Sequence, residues 1–158
     1  MSDVFAQTAT RPRRSPEVAA TGLTVAGGPT IRKWFAGGPQ EASAARKWLL
    51  QQLPGARRHP ASWLIETLGG EVIANAVRHT RSGQPDGRFE VALTQDRHWI
   101  LVQVHDQGSD SEPVIRQDLE AEHGRGLQML EALALSWGTR RTCLGRIVWF
   151  TVPTNPDV

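Results

Sequence analysis

Glu71 and Asn75 stand four residues apart in the stretch Glu71-Val72-Ile73-Ala74-Asn75-Ala76-Val77-Arg78-His79-Thr80. That stretch has neither proline nor glycine and continues an apolar-periodic run that begins near Trp63. It therefore reads as the last turns of a helix, with both polar residues on one face. Leu64, Leu68, Val72 and Ala76, with Ile65, Ile73 and Val77, form a broad apolar stripe on the same helix. A carboxylate and a carboxamide one turn apart combine a proton acceptor with a neutral group that both donates and accepts. On a mostly buried helix such a pair either serves a site or forms two solvated surface positions, and the pair alone does not choose between them.

Two glycine-containing stretches downstream could complete a site. Asp106-Gln107-Gly108 follows a strand-like run, and Gly124-Arg125-Gly126-Leu127 opens a helix-like one. Glycines at such points let the backbone approach a ligand closely, and N–H groups at a helix start attract anions. An ordinary Asp-x-Gly turn and an ordinary glycine-flanked helix start would look the same.

The elements that must position these residues can be read along the chain. Residues 1–30, rich in Ala, Thr, Arg, Pro and Gly, read as a flexible N-terminal tail. A short strand is expected over Ile31–Phe35, stopped by Gly37-Gly38-Pro39. Pro39 then suits the first turn of a helix to about Leu53, with Ala42, Ala45, Leu49 and Leu53 as its buried stripe and Pro54-Gly55 as its end. The second helix is expected from about Ala61 to Arg78, interrupted or closely packed at Gly69-Gly70. Period-two alternation predicts an antiparallel hairpin of Phe89–Thr94 and Trp99–Val104. A loop from Ser109 to His123 follows, then a third helix to about Leu135, then strands over about Ser136–Cys143 and Arg146–Val152 joined at Leu144-Gly145. The order β, α, α, β, β, loop, α, β, β predicts an α+β fold. It is expected to be a two-layer sandwich, a mixed and mostly antiparallel sheet with three helices on one face. The folded domain is expected over 31–153, with 154–158 as a C-terminal tail.

Composition limits the functional classes. The 158 residues suffice for one domain with its own core. Eighteen Lys+Arg nearly balance sixteen Asp+Glu, so no direct nucleic-acid partner is expected. Cys143 is the single cysteine, which rules out an intramolecular disulfide and a multi-cysteine metal site. It is expected within a strand as a small buried hydrophobe. No membrane span or secretory signal is legible, and a cytoplasmic location is the expectation. The six tryptophans, Trp34, Trp48, Trp63, Trp99, Trp137 and Trp149, are spread over every expected element, which favours core packing and edge burial over a base-stacking platform.

The ordered set Glu71-x-x-x-Asn75, Asp106-x-Gly108 and Gly124-x-Gly126-Leu127 resembles the N, G1 and G2 boxes of the GHKL ATP-binding superfamily. That superfamily includes gyrase-type ATPases, Hsp90, sensor histidine kinases and anti-sigma factor kinases. The resemblance covers roughly residues 31–153. It is nearest to the small single-domain anti-sigma regulatory factors, serine/threonine kinases that phosphorylate an anti-sigma factor antagonist. Ala74–Thr80 and Gly145-Arg146-Ile147-Val148-Trp149-Phe150 are similar to that subgroup as well. The resemblance implies a Bergerat-type fold, ATP and Mg²⁺ as cofactors, and a sigma factor or its antagonist's antagonist as partner. Relatives of this type can pair with themselves, so a homodimer is also implied.

It further implies roles. Asn75 would offer its oxygen to Mg²⁺, an ion that otherwise keeps waters and phosphate oxygens. Glu71 would act as the base towards water or a partner's serine hydroxyl. Asp106 would accept from the adenine amino group beside Gly108. Gly124, Gly126 and Leu127 would shape the phosphate end, with Arg125 as a phosphate contact. Arg125 could as easily be a solvated helix-start residue, and Arg78 and His79 could be helix C-terminal cations favoured by the dipole. Ser109–His123 would be the ATP lid, acidic in composition through Asp110, Glu112, Asp118, Glu120 and Glu122.

Two departures stand out. Asp110 takes the place of the second G1 glycine, and Ile147 stands two residues after Gly145, where the small kinases carry a threonine that helps to bind adenine through a water. Both imply weaker or altered nucleotide binding. They leave open an alternative, a nucleotide-dependent partner-binding protein without phosphotransfer. A module with no nucleotide at all requires the three boxes to be coincidence.

Overall fold

The computed structural model describes residues 28–108 and 125–157. Their elements run β1 (Thr30–Ala36), α1 (Pro39–Gln51), α2 (Ser62–His79), β2 (Arg88–Gln95), β3 (Trp99–Asp106), α3 (Arg125–Leu133), β4 (Ser136–Thr142) and β5 (Gly145–Pro153), with single 3₁₀ turns at Ala56–Arg58 and Arg81–Gly83. The expected order is the observed one. The five strands form one sheet in the order β1-β2-β3-β5-β4. Each adjacent pair is antiparallel, so the sheet of the described residues is wholly antiparallel rather than mixed.

The sheet's apolar face explains the layering. Phe35, Phe89, Val91, Leu93, Ile100, Val102, Val104, Phe150 and Val152 alternate along their strands and pack against Leu49, Leu64, Leu68, Val72, Ile73 and Leu130 from the three helices. Burying side chains of this size contributes roughly 1.5–3 kcal/mol each, which is why these helices are held to this face. On the opposite face Trp99 and Leu101 pack with Trp149 as a smaller apolar cluster.

Local sequence sets the ends of the elements. Gly38 is the extended N-cap of α1 and Pro39 takes its first turn. Gly55, with φ of 75°, turns the chain out after α1. The two glycines inside α2 do not break it. A Cβ at Gly69 would stand 2.6 Å from Leu49 Cδ2, so the glycine lets α1 and α2 approach closely. This proximity offsets the helix propensity that glycine gives up, about 1 kcal/mol relative to alanine.

Several side chains differ from expectation. Cys143 is exposed, because β4 ends at Thr142 and the cysteine lies in the turn that leads to β5. Trp34 and Trp63 are half-exposed rather than core residues, Trp34 on a strand at the sheet edge and Trp63 in the first turn of α2. Trp99 and Trp137 are buried as expected. The third helix ends at Leu133, two residues short of the expected limit, because Leu135 N–H already bonds the Thr151 carbonyl at 2.8 Å.

Candidate functional site

The apolar stripe of α2 is buried as Leu64, Ile65, Leu68, Val72, Ile73 and Ala76. Glu71 and Asn75 border it, both half-buried on one side of the helix. The first turn of α3 comes directly onto them. Gly126 is buried, and a Cβ built on it would stand 3.1 Å from Asn75 Nδ2 and 3.3 Å from Glu71 Oε2. Gly126 lies 51 positions after Asn75 and 55 after Glu71, and a side chain there would crowd both. Arg125 and Leu127 occupy the first and third positions of α3. Gly124 and the expected lid, Ser109–His123, lie outside the described residues.

Asp106 closes β3 and is 2% exposed. Its Oδ1 accepts the Gly108 N–H at 2.7 Å, and its Oδ2 faces Arg146 Nη2 at 3.7 Å. Burial pushes this carboxyl above the usual range, while the Arg146 charge, the Gly108 N–H and His105 pull it back. Gly108 has φ of 73°, a left-handed conformation that favours glycine. The turn between β4 and β5 abuts this corner. A Cβ at Gly145 would lie 2.0 Å from the Asp106 carbonyl oxygen, so only glycine lets the hairpin close against the end of β3.

Residues that the sequence reading did not single out join these parts. Thr80 Oγ1 donates to the Ala76 carbonyl at 2.6 Å and accepts from Ser82 N–H at 3.0 Å. Ser82, fully buried, accepts the Gln107 N–H on its hydroxyl at 2.9 Å, and Gln107 Oε1 accepts from Arg88 N–H at 3.0 Å. The exit of α2 is thereby tied to the loop that carries Asp106 and Gly108. Hydroxyl residues just past a helix end were the available signal, since they commonly bond back to the last turn.

The register of β5 separates Arg146 from Ile147. Ile147 pairs with His105, and Arg146 pairs with Asp106. Neighbouring strand residues point to opposite faces, so Ile147 lies on the face away from Asp106 and Arg146 on the same one. Arg78 and His79 end α2 and are exposed.

The residues present fit a magnesium nucleotide on two counts. Beside Glu71 and Asn75 the absence of a side chain at Gly126 lets a helix start, with its backbone donors, come directly against the carboxylate and the carboxamide. At the other end Arg146 Nε is a buried donor with no partner among the described residues. No group of three or more His, Cys, Asp or Glu that could hold a metal occurs among the described residues. A Mg²⁺ carried in on phosphates needs no such cage.

A histidine kinase-like ATPase domain family matches residues 39–152, most of the chain, from the start of α1 to the end of the sheet. The chain belongs to this family, and its five-stranded sheet with three helices is consistent with the ATP-binding fold of that class. None of the curated proteins matches the chain. Among the described residues no helix is long and apolar enough to cross a membrane.

Proposed function

We propose that this chain is an ATP-dependent serine/threonine protein kinase of the anti-sigma regulatory type, acting on the antagonist that controls its partner. The observation that carries the reading is the meeting of Gly126 with Glu71 and Asn75, on the same side of the sheet as Asp106. A carboxylate, a carboxamide and a helix start converge at one end, and a buried base-reading carboxylate stands at the other. Family membership supports the nucleotide, and the similarity of Ala74–Thr80 to the small kinases supports the class of acceptor.

The chemistry asked of the protein is mostly positioning and charge neutralisation. Asp106 would accept from the adenine amino group and fix the base. Asn75 would hold Mg²⁺ through its side-chain oxygen, and the bound ion would supply neutralising charge at the phosphates. Glu71, one turn earlier, would accept the proton of the attacking serine hydroxyl as the hydroxyl oxygen bonds to the γ-phosphorus and the bond from that phosphorus to the β–γ bridging oxygen breaks, releasing ADP. The half-buried setting of Glu71 keeps one side open to an incoming partner.

The direct test is transfer of label from γ-labelled ATP to a serine of the cognate antagonist protein. Serine phosphorylation that requires Mg²⁺ is the expected result. Tight binding of the antagonist with ATP but no transfer would replace the kinase reading with that of a nucleotide-dependent binding protein.

A further inference from the structure

Arg146 is the β5 residue paired with Asp106, and nothing in the proposed reaction uses it. Its side chain is 15% exposed, with Nη2 3.7 Å from Asp106 Oδ2. That separation is longer than a hydrogen bond, so the two charges are neighbours without being locked together. Nε is shut off from solvent and has no hydrogen-bond partner among the described residues. A buried guanidinium donor left in this state is costly, and an arriving acceptor would relieve it.

The capacity left at this corner has a pattern. Asp106 Oδ1 is engaged by the Gly108 N–H, which leaves Oδ2 as an acceptor, and the guanidinium whose Nη2 lies 3.7 Å from it carries the unpartnered Nε donor. Adenine offers the complement, an exocyclic amino donor flanked by ring-nitrogen acceptors, N7 on one side and N1 on the other. We infer that Arg146 is a second base-reading residue, donating from Nε to the ring nitrogen next to the amino group that Asp106 accepts. The assignment rests on the nucleotide reading above. It gives Arg146 a part in specificity that a plain counter-charge for Asp106 would not have, because a counter-charge is indifferent to which ring atom is nitrogen.

The test is calorimetric binding of ATP, 1-deaza-ATP and 7-deaza-ATP, in which a carbon replaces N1 or N7. Wild-type protein should bind one of the two analogues about tenfold or more weaker than ATP, the loss expected for one hydrogen bond to a charged donor. In Arg146→Met, ATP should fall to the level of that analogue and the discrimination should vanish. Circular dichroism checks the fold of the variant. If Arg146→Met does not fold, Arg146→Lys, which keeps the charge but removes the Nε–H, carries the same comparison. The wild-type analogue series needs no variant at all. Equal binding of all three nucleotides by wild type would overturn the assignment. So would a variant that weakens all three alike, or one that binds ATP as tightly as or more tightly than wild type, in which case Arg146 only fills the corner. A wild type that binds no adenine nucleotide would overturn the nucleotide reading itself, and this assignment with it.

Discussion

Glu71 and Asn75 share a helix face but would fail in different ways. Glu71→Ala should leave ATP affinity near that of wild type and reduce phosphotransfer by roughly 10²–10⁴-fold, the usual contribution of a positioned base. Unchanged transfer in that variant, followed by label incorporation, would remove Glu71 from the mechanism. Asp106 adds a dependence on pH. Its carboxyl is raised in the folded protein, chiefly by burial, so the folded state holds this proton more firmly than the unfolded chain does. Its contribution to stability is therefore fully present below the ordinary carboxylate value, about 3.9, and is lost as pH rises through the raised folded value. Denaturant unfolding of wild type and Asp106→Asn over that range should show wild type losing stability relative to the variant with rising pH. The opposite slope would mean that Arg146 outweighs burial.

At the scale of elements, the site depends on how closely α3 and the β4–β5 turn can approach. Gly126→Ala would place a methyl group 3.1 Å from Asn75 Nδ2 and 3.3 Å from Glu71 Oε2, close enough that both must shift by a few tenths of an ångström. Those side chains are half-buried and can give, so stability should change by less than about 1 kcal/mol, within the range of mild substitutions. Phosphotransfer should nevertheless fall by roughly tenfold to a hundredfold, since small misplacements of reacting groups are expensive. Thermal unfolding and label transfer on the same preparation separate the two effects, and a variant of full activity would show that this contact does not set the geometry.

The elements were largely legible because period and punctuation agree. Alternation from Phe89 to Thr94, the Pro39 helix start and the stripe from Leu64 to Ala76 each named an element that the structure contains. Glu71, Asn75 and Asp106 were legible as types at a spacing. Their convergence was legible only through the resemblance, because Gly126 meets Glu71 across a fold that spacing does not specify. What escaped was register. Whether Arg146 or Ile147 faces Asp106 depends on a single-residue offset between β3 and β5, and a slip of one residue exchanges the faces of a strand. Cys143 differs from expectation for a simpler reason, since the strand ends at Thr142, one residue before the expected bound.

At the scale of the whole molecule, the candidate nucleotide site joins three parts distant in sequence: α2, the end of β3 with its β5 partner, and the start of α3. Thr80, Ser82 and Gln107 already tie the first two through hydrogen bonds. A nucleotide held by all three parts binds the folded chain and not the unfolded one, and should stabilise it by about 2.7 kcal/mol at a hundredfold excess over Kd. For a chain of this size that corresponds to a rise in Tm of roughly 5–10 °C. A thermal scan with and without MgATP reads it, and an unchanged Tm under saturating nucleotide would contradict a site shared among these elements.

The most direct measurement of the central claim is isothermal calorimetry of ATP binding to wild type and Asn75→Ala, each with and without Mg²⁺. Wild type should bind ATP more tightly with Mg²⁺ than without, and Asn75→Ala should lose that Mg²⁺-dependent gain while keeping its fold. Equal Mg²⁺ dependence in the two proteins, or no binding of ATP by wild type, would contradict the assignment of this corner of α2 as the phosphate end of a nucleotide site.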